Sequence, residues 1–273
     1  MESESTNLSV CITGASGGRQ ELGTVCPRIV ELLTDPRLPA RVVGVDEYAD
    51  VWERFVCDRR LEFGGHTDPD WQDGHALSAS LMIPVDASRL GERLEPLRDA
   101  LRPFPFVSLH PDHFMHITLL LLGFLVEEPE TEDELSRERL EEIASRARGG
   151  LTDFPAFTIR LANLNAFPGA AFVEVYGGGM IDGLRDALRR SCGLTKPSGP
   201  PHLTLAYFQV PDGTPVPEGL FSVIARYRDW PVGELAVGSV EMTLLDLRSD
   251  YPEPEMLAEI PLKKASQPLK LRS

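Results

Sequence analysis

The chain has 273 residues, of which 42% are hydrophobic and 25% are charged, and its formal net charge is -15. This length and composition are typical of a globular protein with a well-packed core. No apolar run approaches the roughly 18 residues of a membrane-spanning helix, so no membrane segment is predicted. The acidic charge disfavours binding to long duplex nucleic acid, which normally requires a basic face, but leaves a small anionic substrate open.

The N-terminal sequence MESESTNLSV is acidic and lacks the cationic start and apolar stretch of a secretory signal. We therefore expect a cytoplasmic protein, and we expect it to be a monomer. The four cysteines, Cys11, Cys26, Cys57 and Cys192, form no CxxC pair and lie far apart. This spacing predicts reduced thiols rather than a zinc site or a disulfide framework.

Residues 1–46 are predicted to form a small N-terminal extension with a βαβ-like order of elements. Within it, the segment TGASGG that begins at Thr13 resembles the opening of a short-chain dehydrogenase, and Asp46 ends the next strand where a ribose-binding acid would sit. The third glycine position of that fingerprint is Gln20, and only one βαβ unit is present. NAD binding is therefore an alternative, and an extension of unknown role is preferred.

Residues 47–262 are predicted to form the main domain, and residues 263–273 a solvated tail. A helix is expected within residues 47–61, and the Gly/Asp/Pro-rich stretch GGHTDPDWQDG is expected to be a loop. A strand (LSASLMIPVD), a helix with Ser88 as N-cap, a strand (FPFVSL) and a strongly apolar strand (FMHITLLLLGFL) follow. The next helix is charged and is preceded by Thr131 and Glu134 in capping-box spacing.

The same succession recurs in the second half. FTIRLANLNAF and AAFVEVYG are predicted as paired strands, MIDGLRDALRRSC as a helix stopped by Gly193, and PHLTLAYFQV as an apolar strand. A further helix (PEGLFSVIARYRDW) and a closing antiparallel pair (VEMTLLDLRS with MLAEIPL) complete the domain. The recurrence predicts an α+β domain with two similar halves.

One pattern occurs twice, as His, an apolar residue, Thr and a second apolar residue. The two copies are His116-Ile117-Thr118-Leu119 and His202-Leu203-Thr204-Leu205. On a strand, positions two apart point to the same face, so each His projects with its Thr while the apolar residues pack into the core. A single copy has a structural explanation, but two copies on equivalent strands would place both pairs across one cleft.

These residue types suit the cleavage of a phosphodiester. In-line displacement at phosphorus needs a base for the nucleophile and an acid for the leaving oxygen, and histidine can serve as either near neutral pH. The hydroxyls of Thr118 and Thr204 can bind the non-bridging oxygens. This chemistry requires no metal and no cofactor.

At these motifs the sequence resembles the two-histidine (2H) phosphoesterases, a superfamily that includes 2'-5' RNA ligase-like proteins and RNA 2',3'-cyclic phosphodiesterases. The strand SASLMIPV, the hairpin NAFPGAAFVEV and the context PHLTLAYF support the resemblance. It implies a bilobal α+β fold with a central cleft, and activity on a 2',3'-cyclic phosphate or 2'-5' linkage of a nucleotide or RNA end, with ligation as the reverse reaction. By resemblance, His116, Thr118, His202 and Thr204 are the catalytic residues, with His116 as the acid and His202 as the base.

Four further residues are candidates for binding the substrate. Phe167 and Tyr207 offer aromatic faces on which a base can stack, and Arg160 and Lys196 offer positive charge near the motifs. Many relatives carry a basic residue after the FP of the hairpin or after the second motif, where this chain has Gly169 and Tyr207. The sequence therefore leaves the positive charge of the cleft unassigned.

Two other interpretations are open. His110, His113 and His116 recur at three-residue intervals and would approach one face of a helix as metal ligands, but Pro111 and the following strand argue against that helix. His110 and His113 are therefore expected at the edge of the cleft. The other interpretation is a nucleotide-binding module that keeps the cleft without turnover.

Overall fold

The computed structural model describes residues 48–264. The predicted N-terminal extension, with the TGASGG segment and Asp46, and the tail from residue 265 onward lie outside the described residues. No helix within the described range is long and apolar enough to cross a membrane.

Helices and strands alternate along the described chain. The α-helices are α1 (Ala49–Asp58), α2 (Pro69–Gln72), α3 (Gly91–Leu101), α4 (Arg137–Leu151), α5 (Met180–Cys192) and α6 (Glu218–Arg226). The strands are β1 (Arg60–Leu61), β2 (Leu77–Pro84), β3 (Val107–Leu109), β4 (His116–Leu125), β5 (Glu134–Leu135), β6 (Phe157–Phe167), β7 (Ala170–Tyr176), β8 (His202–Phe208), β9 (Thr214–Pro215), β10 (Pro231–Val237), β11 (Ser239–Asp246) and β12 (Glu255–Pro261).

Ten of these strands form one hydrogen-bonded sheet with the order β10-β6-β7-β8-β4-β2-β11-β12, and β3 and β5 pair with β8 and β4. All pairs are antiparallel except that of β4 with β5. Four strands lie on each side of the junction between β8 and β4. The α+β class with two similar halves is therefore confirmed.

The two halves meet at a single register pair, in which Ile117 of β4 lies opposite Leu203 of β8. Both side chains are completely buried. Beyond this pair the strands diverge: β8 continues alongside β3, and β4 continues alongside β5. The junction of the halves is thus formed by the two predicted motifs themselves.

The predicted stop of α5 is confirmed. Gly193 follows the helix with a φ of 68°, a left-handed conformation that glycine adopts without a steric penalty. The apolar stripe of α5 buries Ile181, Leu184 and Leu188, and the helix packs beside α4. An arginine, Arg185, occupies a position within that buried stripe.

Two predicted caps are wrong, and in each case a neighbouring side chain takes the position. Asp86, not Ser88, caps the turn before α3, because its carboxylate accepts a hydrogen bond from the Ser88 N–H at 3.1 Å. Ser136 caps α4 by accepting from the Arg139 N–H at 3.3 Å. Glu134 lies in β5, where its carboxylate accepts hydrogen bonds from the backbone N–H groups of Glu130 and Thr131.

Besides the two-residue strands β1, β5 and β9, two elements were not predicted. The expected loop GGHTDPDWQDG contains α2, whose N-cap Asp68 accepts a hydrogen bond from the Asp70 N–H, with Pro69 in the first turn. Strand β10 was missed, although its residues alternate between buried and exposed. Its Pro231 and Gly233, residue types that usually interrupt strands, hid this alternation.

The carboxylate of Glu174 in β7 is the centre of a buried hydrogen-bonding network, and its removal tests how much this network stabilises the second half. Its side chain is completely buried, pairs with Arg228, and accepts hydrogen bonds from the amides of Asn163 and Asn165, each at 2.7 Å. Glu174→Ala should lower the free energy of unfolding by about 3–5 kcal/mol, because it leaves buried donors and a cation without their acceptor.

Urea unfolding of the variant measures this loss. Glu218→Ala is the matched control, since Glu218 pairs with Arg59 at 3.3 Å but its side chain is 79% exposed. Loss of the Glu218 carboxylate should lower the free energy of unfolding by less than about 1 kcal/mol. Equal losses in the two variants would show that the buried network around Glu174 contributes no special stability.

Candidate active site

The register at the junction brings the two motifs together on one face. Because Ile117 is antiparallel to Leu203, His116 lies across from Thr204 and Thr118 lies across from His202. Directly opposed residues of an antiparallel pair project to the same side of the sheet. All four polar side chains therefore share one face, and the two apolar residues between them point into the core.

The two imidazoles are held in the same way. Nδ1 of His116 lies 2.8 Å from the carbonyl oxygen of Phe114, and Nδ1 of His202 lies 2.9 Å from that of Pro200. A carbonyl oxygen only accepts, so each Nδ1 carries the hydrogen and donates it. In the neutral rings, Nε2 is therefore the nitrogen with a free lone pair, ready to exchange a proton.

Burial lowers the pKa of both histidines below the ordinary value of 6.5. For His116 the hydrogen bond to the Phe114 carbonyl opposes this effect, and repulsion from His202 and His66 adds to it. For His202 the Pro200 carbonyl opposes the lowering of the pKa. Both rings are thus mainly neutral at pH 7, and a bound phosphate would favour protonation of one of them.

Arg185 supplies positive charge behind the motifs. Its guanidinium donates to the backbone carbonyls of Leu119 at 3.1 Å, Gly199 at 3.0 Å and Thr118 at 3.3 Å. These bonds connect β4 to the segment that leads into β8. The charge also contributes to the low pKa of His202. The sequence signal for this role was an arginine in the apolar stripe of α5.

A cleft of about 340 Å³ lies beside the first motif. His116 and Thr118 form part of its lining, together with side chains from β2, β8 and the segment before β2. The lining residues are Gly65, His66, Asp68, Trp71, Ser78, Ser80, Met82, Phe114, His116, Thr118, Leu121, Tyr207, Leu245 and Pro254. His66 and Trp71 were not predicted as site residues, because they lie in the segment expected to be a loop.

The two aromatic candidates lie near the motifs. The Phe167 ring is 5.0 Å from the His202 ring, measured between centroids. Tyr207 lines the cleft and lies 4.5 Å from the His110 ring. Burial raises the pKa of the Tyr207 phenol well above its usual range, so the group stays a neutral hydroxyl.

The two cationic candidates lie elsewhere. Lys196 Nζ is 2.5 Å from a carboxylate oxygen of Asp133 and 3.3 Å from the carbonyl oxygen of Leu122. The guanidinium of Arg160, which is exposed, lies 4.0 Å from the centroid of the Tyr176 ring. Neither residue lines the cleft, so positive charge near the motifs comes from Arg185 instead.

His110, His113 and His116 have separate environments. His110 is buried and packs against the rings of Tyr207 and Phe114, whereas His113 is exposed and bonds the carbonyl oxygen of Tyr251 through Nε2. Across residues 48–264, no group of three or more His, Cys, Asp or Glu side chains is arranged to hold a metal ion. His110 is thus part of the aromatic packing under the cleft rather than an edge residue.

A family profile described as the 2'-5' RNA ligase superfamily matches residues 87–247, which is more than half of the chain. The chain belongs to this superfamily. The expected relationship to the two-histidine phosphoesterases is therefore confirmed at the level of family and fold.

Three solved structures are similar to this chain at low sequence identity. TT0787 of Thermus thermophilus is 21% identical with a TM-score of 0.50, over 69% of this chain and 100% of that chain. Escherichia coli LigT complexed with ATP is 17% identical with a TM-score of 0.46, over 68% of this chain and 98% of that chain. A structure described as a phosphoesterase is 16% identical with a TM-score of 0.48, over 68% of this chain and 98% of that chain. No curated protein sequence matches the chain.

Burial and hydrogen bonding together predict the direction of the pKa shift of three histidines. His116 and His202 should titrate below 6.5 because burial disfavours their charged forms. His75 should titrate above 6.5, because its ring bonds the Glu134 carboxylate, although burial opposes this. Long-range proton–nitrogen NMR spectra across a pH titration give all three pKa values and report whether the neutral rings carry hydrogen on Nδ1. Titration of His116 above His75 would contradict the arrangement.

Proposed function

We propose that the chain is a metal-independent phosphodiesterase in which His116 and His202 act as the acid and base on a phosphodiester. The substrate is a 2',3'-cyclic phosphate or a 2'-5' linkage of a nucleotide or RNA end. The observation that carries the proposal is the pairing of Ile117 with Leu203, which sets both His/Thr pairs on one face. Membership of the 2'-5' RNA ligase superfamily supports the class of reaction.

The reaction needs one neutral and one protonated imidazole. Nε2 of His202 accepts a proton from water as its oxygen attacks phosphorus, and Nε2–H of His116 donates a proton to the departing 3'-oxygen. The P–O3' bond breaks, and a 2'-phosphate with a free 3'-hydroxyl remains. With the 5'-hydroxyl of a second RNA end in place of water, the same proton transfers form the P–O5' bond and break the P–O3' bond, which leaves a 2'-5' linkage.

The threonines hold the phosphate for in-line attack. Since Thr204 lies across from His116 and Thr118 across from His202, each hydroxyl can donate to a non-bridging oxygen beside the opposite imidazole. The hydrogen bonds from Nδ1 to backbone carbonyls fix the ring orientations before the substrate binds. The protein thereby supplies positioning as well as proton transfer.

Substitution of the four motif residues tests the proposal. His116→Ala and His202→Ala should each lower the hydrolysis rate by about 10²–10⁴-fold, because each removes one proton carrier. Thr118→Ala and Thr204→Ala should cost about 10–10³-fold, because each removes one hydrogen bond in the transition state. Steady-state hydrolysis of 2',3'-cyclic nucleotides, before and after exhaustive chelation, provides the measurement.

His113→Ala is the matched control, since His113 is exposed, its ring bonds a backbone carbonyl, and it lines the neighbouring groove and not the cleft beside the first motif. Its rate should stay close to that of the unaltered protein, and chelation should leave all rates unchanged. Restoration of activity only by a divalent ion would favour a metal-dependent reaction instead. Binding of the nucleotide without turnover would favour the non-catalytic module.

A substrate with a better leaving group separates the two histidines. Such a group departs without an acid, so an activated 4-nitrophenyl ester of a nucleotide should largely restore the rate of His116→Ala and leave His202→Ala impaired. Identification of the product from a 2',3'-cyclic nucleotide should show the 2'-phosphate. Restoration of the His202 variant instead would exchange the acid and base roles, and a 3'-phosphate product would require the opposite orientation of the substrate.

A further inference from the structure

Residues 62–76 form one wall of the cleft beside the first motif. We call this segment the 62–76 wall, and it contributes Gly65, His66, Asp68 and Trp71 to the lining. The wall precedes residues 87–247, which match the family profile.

The wall is fastened to both halves of the sheet. The Gly64 N–H donates to the carbonyl oxygen of Phe208 in β8 at 2.9 Å, and a Cβ atom on Gly64 would overlap the carbonyl oxygen of Gly169. At its other end, the His75 ring lies 2.9 Å from the carboxylate of Glu134 in β5, which pairs with β4. The wall is thus a fixed surface rather than a loose loop.

The cleft is lined mainly by apolar and hydroxyl groups. Trp71, Tyr207 and Leu121 present broad apolar surfaces, and Ser78 and Ser80 present hydroxyls. Among the described residues no lysine or arginine lines the cleft. Its volume of about 340 Å³ falls at the small end of ligand pockets. These features suit one uncharged, partly aromatic group.

The groove next to the cleft is acidic. It shares His116, Met82 and Pro254 with the cleft and is lined also by His113, Glu241, Glu253 and Asp112, whose carboxylate pairs with Arg98 at 2.7 Å. An anionic group placed there would be repelled by the carboxylates of Glu241 and Glu253, and no lysine or arginine of the described chain belongs to this lining. A second phosphate close to the first motif is therefore disfavoured.

His66 offers a hydrogen-bond acceptor that the described protein residues leave unused. Its side chain is only 7% exposed, and its Nε2 lies 2.8 Å from the carbonyl oxygen of Ser249. Because that carbonyl only accepts, Nε2 carries the hydrogen and Nδ1 holds a lone pair. Nδ1 is buried without a partner among residues 48–264. A turn of the His66 ring, which lines the cleft, would bring Nδ1 within reach of an amino or hydroxyl group of a ligand.

Resting on the proposed phosphodiesterase function, we infer that the 62–76 wall forms a subsite for the nucleoside of a single nucleotide. The nucleoside packs against Trp71 and donates a hydrogen bond to His66, while its phosphate lies between the motifs. The carboxylates of the neighbouring groove exclude a second phosphate. The preferred substrate is therefore a mononucleoside cyclic phosphate rather than the end of an RNA chain.

The first test measures binding by the full chain, independently of turnover. Calorimetric titration with adenosine 2'-monophosphate and uridine 2'-monophosphate should give an affinity that falls about tenfold or more in Trp71→Ala. Trp71→Phe, which keeps an aromatic face, should retain most of the affinity of the unaltered protein. His66→Gln should also weaken binding, because it preserves a donor for Ser249 but removes the Nδ1 acceptor. Thermal unfolding of each variant identifies any that fail to fold.

The second test measures the cost of a second phosphate. Addition of a 5'-phosphate to adenosine 2',3'-cyclic phosphate should lower kcat/KM about tenfold. Added salt should narrow the gap in kcat/KM between the two substrates, because it screens the carboxylates. Glu253→Gln should also narrow it. Glu255→Gln is the matched control, because Glu255 is exposed in β12 and lies outside the groove lining. It should leave the gap unchanged.

The outcomes separate the two proposals. Nucleotide binding that depends on Trp71 and His66 but leads to no hydrolysis would refute the proposed function and keep the subsite. Hydrolysis with unaltered binding in the Trp71 and His66 variants would refute the subsite and keep the function. Absence of nucleotide binding, or a preference for the 5'-phosphorylated substrate, would overturn the inference.

Discussion

The antiparallel pair between Ile117 and Leu203 sets the geometry on which the rest of the site depends. Because the two strands share only this pair before they diverge, each half contributes one His and one Thr at the point of contact. The apolar partners are completely buried, so the core holds the register that exposes the polar face. A slip of one residue would turn the four polar side chains of the motifs into the core.

The two imidazoles next to this pair are both buried and hydrogen-bonded to the backbone. Burial lowers the pKa of both imidazoles, and carbonyls two residues earlier in the chain fix their Nδ1 hydrogens. The nearby guanidinium of Arg185 is bonded to backbone carbonyls that connect the halves. It therefore stabilises the junction and contributes positive potential without entering the cleft lining.

The sequence predicted what depends on local pattern. The apolar strands that carry the motifs and the stop at Gly193 follow from residue alternation and from the conformational freedom of glycine. Contacts between distant residues left no such signal: His66 bonds a carbonyl 183 positions away in the chain. Arg185 could have been noticed as a charge in a buried stripe, but its acceptors are backbone atoms and cannot be read from residue types.

The 62–76 wall lies on one side of an otherwise two-fold arrangement. The cleft lining contains His116 and Thr118 but neither His202 nor Thr204, although the two histidines are bonded alike. A symmetric pair of proton carriers has no inherent preference for which ester oxygen it expels. In the reaction proposed above, the asymmetric wall would orient the ribose in one sense only, so that one ester oxygen would leave in preference to the other.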